Sequence, residues 1–283
     1  MSVFLKYEDM WDRALGGTTD EKQIPHWFAN LAYALIGFVF KICFRYRIDG
    51  RENLRAFKDK CGAVVVSNHT SFLDVVLMYM GARPSQFVRL MGRDTLFDNA
   101  GGLVGQILSR VGAFPIKRDS ADRAAIKRAA HMLKGNQLVG ILPEGTRRDK
   151  GSKKPEIHSG AAFIAKMGKA PIVPMCVRNA ENVKRKGERL RFPKITAEYG
   201  KPIVVSDFDF LPKEDRLEGC TWYAMREVFA LHQQVPREQV DMVALFPDGR
   251  DFTAVFAEHP IPEHTPEEAI ELTRPTKKQA KAA

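Results

Sequence analysis

Between residues 63 and 199 the chain alternates short apolar runs with stretches of helical period, and that alternation restricts it to one class of fold. Ala63–Ser67, Phe87–Met91, Phe114–Ile116, Leu138–Leu142, Pro171–Val177 and Ile195–Tyr199 read as strands. Phe72–Met80, Asn99–Val111, Ala121–Lys134 and Ser159–Met167 read as helices, with Asp122 near the start of one and Ser159 capping another. A run such as AVVV has no polar alternate, as in a strand covered on both faces. Strand and helix in turn predict an α/β fold: a mixed, largely parallel sheet flanked by helices. Pro171 and Pro174 bracket one apolar strand. Proline cannot donate to a ladder, so that strand is expected at an edge, at a bulge or beside a site.

The N-terminal part carries a different signal. From Trp27 to Phe44 the only charged residue is Lys41. Roughly 18 residues of helix span about 27 Å, a little less than a bilayer core of about 30 Å. Lys41 sits near the end, Arg45 and Arg47 follow, and Trp27, Tyr33 and Tyr46 suit an interface. A membrane-associated helix lying at the interface, rather than crossing it, is the expectation. The preceding MSVFLKYEDMWDRALGG mixes acids and bases and has no cleavage signature. Four regions follow: 1–50, associating with membrane; 51–210, the central α/β domain; 211–262, an extension; and 263–283, expected to be disordered. The extension holds one amphipathic helix, LEGCTWYAMREVFALHQQ, and a hairpin about PDG in VDMVALFPDGRDFTAVF.

Lys and Arg number 44 against 34 Asp and Glu, a formal net charge of +10. Such an excess favours anionic partners: acidic lipid, phosphorylated substrates or nucleic acid. Nucleic acid is set aside, because the chain has no zinc-finger spacing, no RNA-recognition aromatic pattern and no basic heptad helix. The cysteines Cys43, Cys61, Cys176 and Cys220 are scattered and form no CxxC pair. Neither a disulfide framework nor a metal site is expected, and a reducing compartment is.

The chemistry concentrates at SNHTSFLD, residues 67–74, a strand-to-helix junction. Histidine takes a proton readily near neutral pH, and a nearby carboxylate can fix its tautomer and stabilise the imidazolium. If the chain turns at His69 and a helix starts near Thr70 or Ser71, Asp74 folds back to the ring. A substrate hydroxyl can then take the place of a serine nucleophile. Taken alone, the spacing equally fits a histidine at a helix cap with a solvated aspartate. Three further stretches bear on the choice. In GAFPIKRD, Lys117 and Arg118 follow a short strand with Arg123 close behind, which suits phosphate capture or a surface basic cluster. In ILPEGTRR, Gly145 lets backbone approach a ligand, Glu144 can accept from a polyol and Arg147 can reach an anion; a plain turn with solvated charges is the alternative. APIVPMCV reads as structural rather than chemical.

Together NHTSFLD, GAFPIKR, LPEGTRR and PIVPM resemble, in order and separation, the four blocks of the glycerolipid acyltransferase family, over roughly residues 60–180. Members include bacterial 1-acylglycerol-3-phosphate acyltransferases. The resemblance implies acyl transfer from a thioester, acyl-CoA or acyl carrier protein, to the 2-hydroxyl of 1-acylglycerol 3-phosphate, making phosphatidic acid. Other acceptors (glycerol 3-phosphate or another lysolipid) and a catalytically silent lipid-binding relative are the alternatives. By that likeness His69 is the general base and Asp74 its orienting partner. Arg118, with Lys117 beside it, looks like the phosphate-binding arginine. Glu144, Gly145, Thr146 and Arg147 fall in the acceptor-binding block, Arg93 stands where relatives often carry a basic residue, and Pro174 shapes the acyl or acceptor pocket. No bound cofactor or metal is implied; the acyl thioester is a co-substrate, and membrane lipids are partners, with the catalytic domain facing the cytoplasm. Oxyanion donors are expected among backbone N–H groups at the start of the helix after His69. Leu142 stands where phenylalanine is common, and Met175 and Cys176 where small aliphatics are usual, which bears on chain-length preference.

Overall fold

The computed structural model describes residues 6–16, 23–84, 86–117, 122–145, 147–148, 154–184 and 187–274. In chain order, strands β1 (Leu15–Gly16) and β2 (Ile24–Pro25) precede helix α1 (Trp27–Cys43), β3 (Arg47–Asp49) and α2 (Glu52–Arg55). Then follow β4 (Ala63–Ser67), α3 (Phe72–Ala82), β5 (Val88–Arg93), α4 (Leu103–Arg110), β6 (Phe114–Ile116), α5 (Arg123–Lys134) and β7 (Leu138–Ile141). After α6 (Gly160–Gly168), β8 (Ile172–Arg178) and β9 (Thr196–Tyr199), the chain continues as α7 (Arg216–Gln233), α8 (Met242–Leu245), α9 (Thr253–Glu258) and α10 (Pro266–Thr273).

A 7-stranded sheet in the order β3-β9-β8-β4-β7-β5-β6 organises the molecule. Strands β4 to β8 run parallel to one another, while β9 pairs antiparallel to β8 and parallel to β3. The mixed, largely parallel sheet expected from the alternation is therefore present. In β4 every residue is buried. Val64 and Val66 face one core, with α5, α6 and α7, and Ala63 and Val65 face the other, with α1 and α3. That two-residue alternation between two apolar faces is why the run needs no polar position.

Three expectations are corrected. First, of the places expected for the proline-bracketed strand, the edge is ruled out: β8 is internal, between β9 and β4, although it contains Pro174. The Pro174 carbonyl still accepts the Gly200 N–H at 2.8 Å. Residue 200 has no side chain to crowd the ring: a Cβ there would stand 3.0 Å from Pro174 Cγ. Second, the stretch about PDG forms α8 and α9, not a hairpin. Asp241 caps α8 by accepting the Ala244 N–H at 2.8 Å. Phe252 and Phe256 are one helical turn apart, and Phe256 packs 5.6 Å from Trp222 and 5.3 Å from Tyr223. PDG keeps its turn, between the two helices, and burial of these rings at helical spacing makes the run after it a helix rather than a strand. Third, residues 263–274 are ordered rather than disordered. Thr265 and Glu268 form a capping box at α10, Ala269 is buried, and Arg274 donates to the Lys169 carbonyl at 3.0 Å. The rest of the expected tail, 275–283, lies outside the described residues.

Helix α1 has 17 residues, and no helix among the described residues is long and apolar enough to cross a membrane. It buries Ala29 and Phe40 inward. Outward it leaves Trp27, Leu31, Leu35, Phe38 and Ile42 exposed, spaced along one face.

Candidate active site

All five parallel strands β4 to β8 end at the same edge of the sheet, and the chemistry-bearing residues collect there. His69 lies two residues beyond β4. Between them Asn68 extends the ladder, its Oδ1 accepting the Val177 N–H at 3.2 Å and its Nδ2 donating to the Val177 carbonyl at 3.5 Å. This fixes the direction in which the chain leaves the sheet.

The turn after β7 then holds the backbone of His69 from both sides. Its N–H donates to Glu144 Oε1 at 3.1 Å, and its carbonyl accepts the Arg148 N–H at 3.0 Å. The imidazole is nearly buried, and Nδ1 lies 3.5 Å from Asp74 Oδ2. That is an ion-pair contact rather than a well-formed hydrogen bond, and Nδ1 has no nearer partner within the protein. Asp74 itself is fully buried, and its Oδ2 accepts the N–H groups of Thr70 and Ser71, both at 2.7 Å. With Ser71 Oγ accepting the Leu73 N–H at 3.3 Å, this forms a capping box at the start of α3. One carboxylate thus caps the helix and faces the histidine. The same bonds occupy the N–H groups of Thr70, Ser71 and Leu73, so among the expected oxyanion donors at this helix start these three are engaged within the protein.

Glu144 is 2% exposed. Burial pushes its carboxyl above the usual range, against the pull of Arg148 and of the His69 N–H. Glu144 Oε2 lies 2.5 Å from Arg148 Nε. The Arg148 guanidinium in turn packs against the paired rings of Phe229 and Phe246, 4.7 Å from each centroid, and Nη1 approaches the Leu245 carbonyl at 3.4 Å. Both carboxylate oxygens of Glu144 therefore engage the protein, which does not fit the polyol-accepting position expected for it. Gly145 takes φ +66°, and a Cβ there would stand 3.3 Å from the His158 ring. Left-handed backbone and close approach both require glycine at this turn.

The remaining predicted residues divide. Arg147 places its guanidinium 4.0 Å from the centroid of Phe72, an exposed ring at the start of α3. Arg93 and Lys117 are exposed at the ends of neighbouring strands, Arg93 being in register with Ile116. Pro174 is not brought to this edge: it is buried in the sheet opposite Val66. Arg118 and Thr146 lie outside the described residues. Arg148, Phe229, Phe246 and Asn68 escaped sequence reasoning. For Arg148 the signal was its four-residue spacing from Glu144, which has no meaning until the turn is known to fold back. Among the described residues no group of His, Cys, Asp and Glu could hold a metal ion.

The arrangement suits proton transfer: an imidazole backed by a buried carboxylate, with cations at the same edge of the sheet on the ends of β5 and β6, beyond β7. A family model described as Acyltransferase matches residues 45–178. The chain is 33% identical over 175 residues to a 1-acyl-sn-glycerol-3-phosphate acyltransferase of Bacillus subtilis, covering 62% of this chain and 82% of that one. The chain belongs to the acyltransferase family. Human 1-acyl-sn-glycerol-3-phosphate acyltransferase beta is 32% identical over 163 residues, 56% of this chain and 54% of that protein. A crystal structure of the 1-acyl-sn-glycerophosphate (LPA) acyltransferase PlsC from Thermotoga maritima shares the fold, with a TM-score of 0.51 at 20% identity over 72% of this chain and 80% of that one. In this acyltransferase the family match runs from just before β3 to the end of β8. Phe229, Leu245 and Phe246, which grip Arg148, come from beyond it.

Proposed function

We propose that this acyltransferase moves a fatty acyl group from a thioester to the 2-hydroxyl of 1-acylglycerol 3-phosphate, releasing a thiol and making phosphatidic acid. The observation that carries the reading is the contact of His69 Nδ1 with Asp74 Oδ2 at 3.5 Å, beneath the strand ends. His69 Nε2 takes the hydroxyl proton as the oxygen attacks the thioester carbonyl. Asp74 holds the ring's orientation and stabilises the imidazolium. Collapse of the tetrahedral intermediate expels the thiolate, which leaves with the proton from His69. General-base help of this kind supplies about 10²–10⁴ in rate. Arg93 and Lys117, exposed at the ends of β5 and β6 on the same edge of the sheet, across β7 from His69, are candidates to hold the acceptor's phosphate, with Arg118 following Lys117 in the chain.

The substrate class is supported by the names of the relatives and by the apolar outward face of α1. That face gives the enzyme a seat at a bilayer surface, where acceptor and product both reside, with the catalytic domain on the cytoplasmic side. Purified protein in detergent, offered a panel of lysolipids and both acyl-CoA and acyl carrier protein thioesters with free thiol as readout, tests the reading. 1-Acylglycerol 3-phosphate should be the best acceptor. Faster turnover of glycerol 3-phosphate or of a larger-headed lysolipid reassigns the acceptor. A well-folded His69→Ala enzyme with near-normal rate overturns the mechanism.

A further inference from the structure

We infer that Leu190 and Phe192 form, beside the C-terminal end of α1, a second apolar foothold that docks on the same anionic lipid bilayer as the outward face of α1 and sets the His69 edge of the sheet toward it. The inference rests on the proposed seating of α1 at a membrane and adds a second, separate foothold. Leu190 is 57% and Phe192 50% exposed, in the connection between β8 and β9. Their position beside α1 is fixed by bonds. The Phe192 ring lies 5.6 Å from that of Phe44, which follows α1. Arg45 Nη2 donates to the Phe192 carbonyl at 3.2 Å, and the Ile195 N–H donates to the Phe44 carbonyl at 3.1 Å. Phe38 and Ile42 are exposed in the last turns of α1, on the face turned away from the buried Phe40 and Phe44, so Phe192 stands to one side of the apolar stripe of the helix.

The same connection sits at the active-site edge. Thr196 opens β9 opposite Arg178, the last residue of β8, whose end points the same way as that of β4 before His69. Exposed cations flank these apolar side chains in the chain, Lys184, Arg189, Arg191 and Lys194 in the same connection and Lys41 and Arg45 at the end of α1, with Arg45 bonded to the Phe192 carbonyl. Arg191 pairs with Glu188 at 2.8 Å, which leaves these flanks strongly positive. Apolar tips flanked by cations complement acyl chains beneath anionic headgroups. The geometry also answers a mechanical need. One helix lying in the interface fixes depth but leaves the body free to roll about the helix axis. A second contact to one side of that axis removes the roll.

Flotation of the full chain with vesicles of phosphatidylcholine alone, or mixed with phosphatidylglycerol, tests the proposal. The wild-type protein should float with the mixed vesicles and release with salt. The variant L190S/F192S should partition about tenfold more weakly, as expected for losing the insertion of two apolar side chains. It should keep full activity on a short-chain soluble lysolipid and show a raised apparent KM for acceptor embedded in vesicles. If L190S/F192S floats like wild type while L35S/F38S/I42S does not, this inference fails and the α1 seating stands. If the wild-type protein floats with neither vesicle, both fail. A variant that floats normally but loses rate only with acyl carrier protein donors would assign the surface to the donor protein and overturn the inference. Should L190S/F192S melt early, an environment-sensitive fluorophore on L190C, in a Cys43→Ser background, gives the second reading. Its emission should shift to the blue with mixed vesicles, and no shift would overturn the proposal.

Discussion

The carboxylate of Glu144 accepts the backbone N–H of His69 at 3.1 Å. Two loops distant in sequence are joined there, and the joint makes the histidine's position depend on a residue that never touches its ring. Its second oxygen faces Arg148 in an ion pair, and the carboxylate is buried, so its contacts are with the protein. Glu144→Gln should keep an oxygen for the His69 N–H but lose the charge facing Arg148. We expect kcat to fall with little change in acceptor KM, because the defect is misplacement of the base rather than lost binding. Steady-state kinetics with varied acceptor check this; a raised KM at unchanged kcat would return Glu144 to the acceptor.

Arg148 is the other half of that joint. Arg148→Met keeps bulk against Phe229 and Phe246 but leaves the buried Glu144 unpaired, and should destabilise the protein by about 3 kcal/mol, the low end for breaking a buried pair. The double variant E144Q/R148M should recover part of that loss, since neither charge is then stranded. Denaturant unfolding of the two single variants and the double gives the coupling directly; strict additivity would mean the pair is not felt.

Asp74 combines two tasks that mutation can separate from those of its neighbour. His69→Ala removes the base and should abolish turnover at nearly unchanged stability, for the ring has no hydrogen bond on Nδ1 to lose. Asp74→Asn should lower kcat by about 10²–10⁴ through loss of the imidazolium's partner. It should also cost about 1 kcal/mol through a weakened cap at Thr70 and Ser71. Rates read beside thermal melts decide it: Asp74→Asn must move both quantities and His69→Ala essentially one.

The sheet was legible because its signal is periodic and local: AVVVS, LVGI and IVPMCV each had to be covered on both faces, and each is. The His69–Asp74 pair was legible because both residues lie within one strand-to-helix junction. What failed depended on partners far away in the chain. Pro174 sits inside the sheet with Gly200, which has no side chain to crowd its ring, lying against it. PDG does form a turn, but the apolar runs on either side of it became helices rather than strands, with Phe256 packed on Trp222 and Tyr223. The role of Arg148 is set by Phe229 and Phe246, some 80 to 100 residues downstream by their numbering, so no window about LPEGTRR contains it. The reading of 263–274 as tail overlooked the Thr265–Glu268 capping pattern that starts α10.

Near the site a second histidine leaves a mark on stability rather than on rate. His232, at the end of α7, has a buried Nε2 with no hydrogen-bond partner within the protein, and burial holds its pKa below the ordinary histidine value. Glu181 and Asp74 pull the other way, while Arg178 and Arg148 reinforce burial. A depressed folded pKa means that, as pH falls through about 6.5, the unfolded chain takes up a proton that the folded protein refuses. The stability this histidine contributes is therefore complete above about pH 6.5 and is lost as pH drops toward its folded pKa. His232→Asn cannot titrate, so the gap in unfolding free energy between the wild-type protein and the variant should narrow between pH 7.5 and pH 5. Paired denaturant melts at the two pH values measure that gap, and a gap that stays constant or widens toward acid contradicts the burial of this ring.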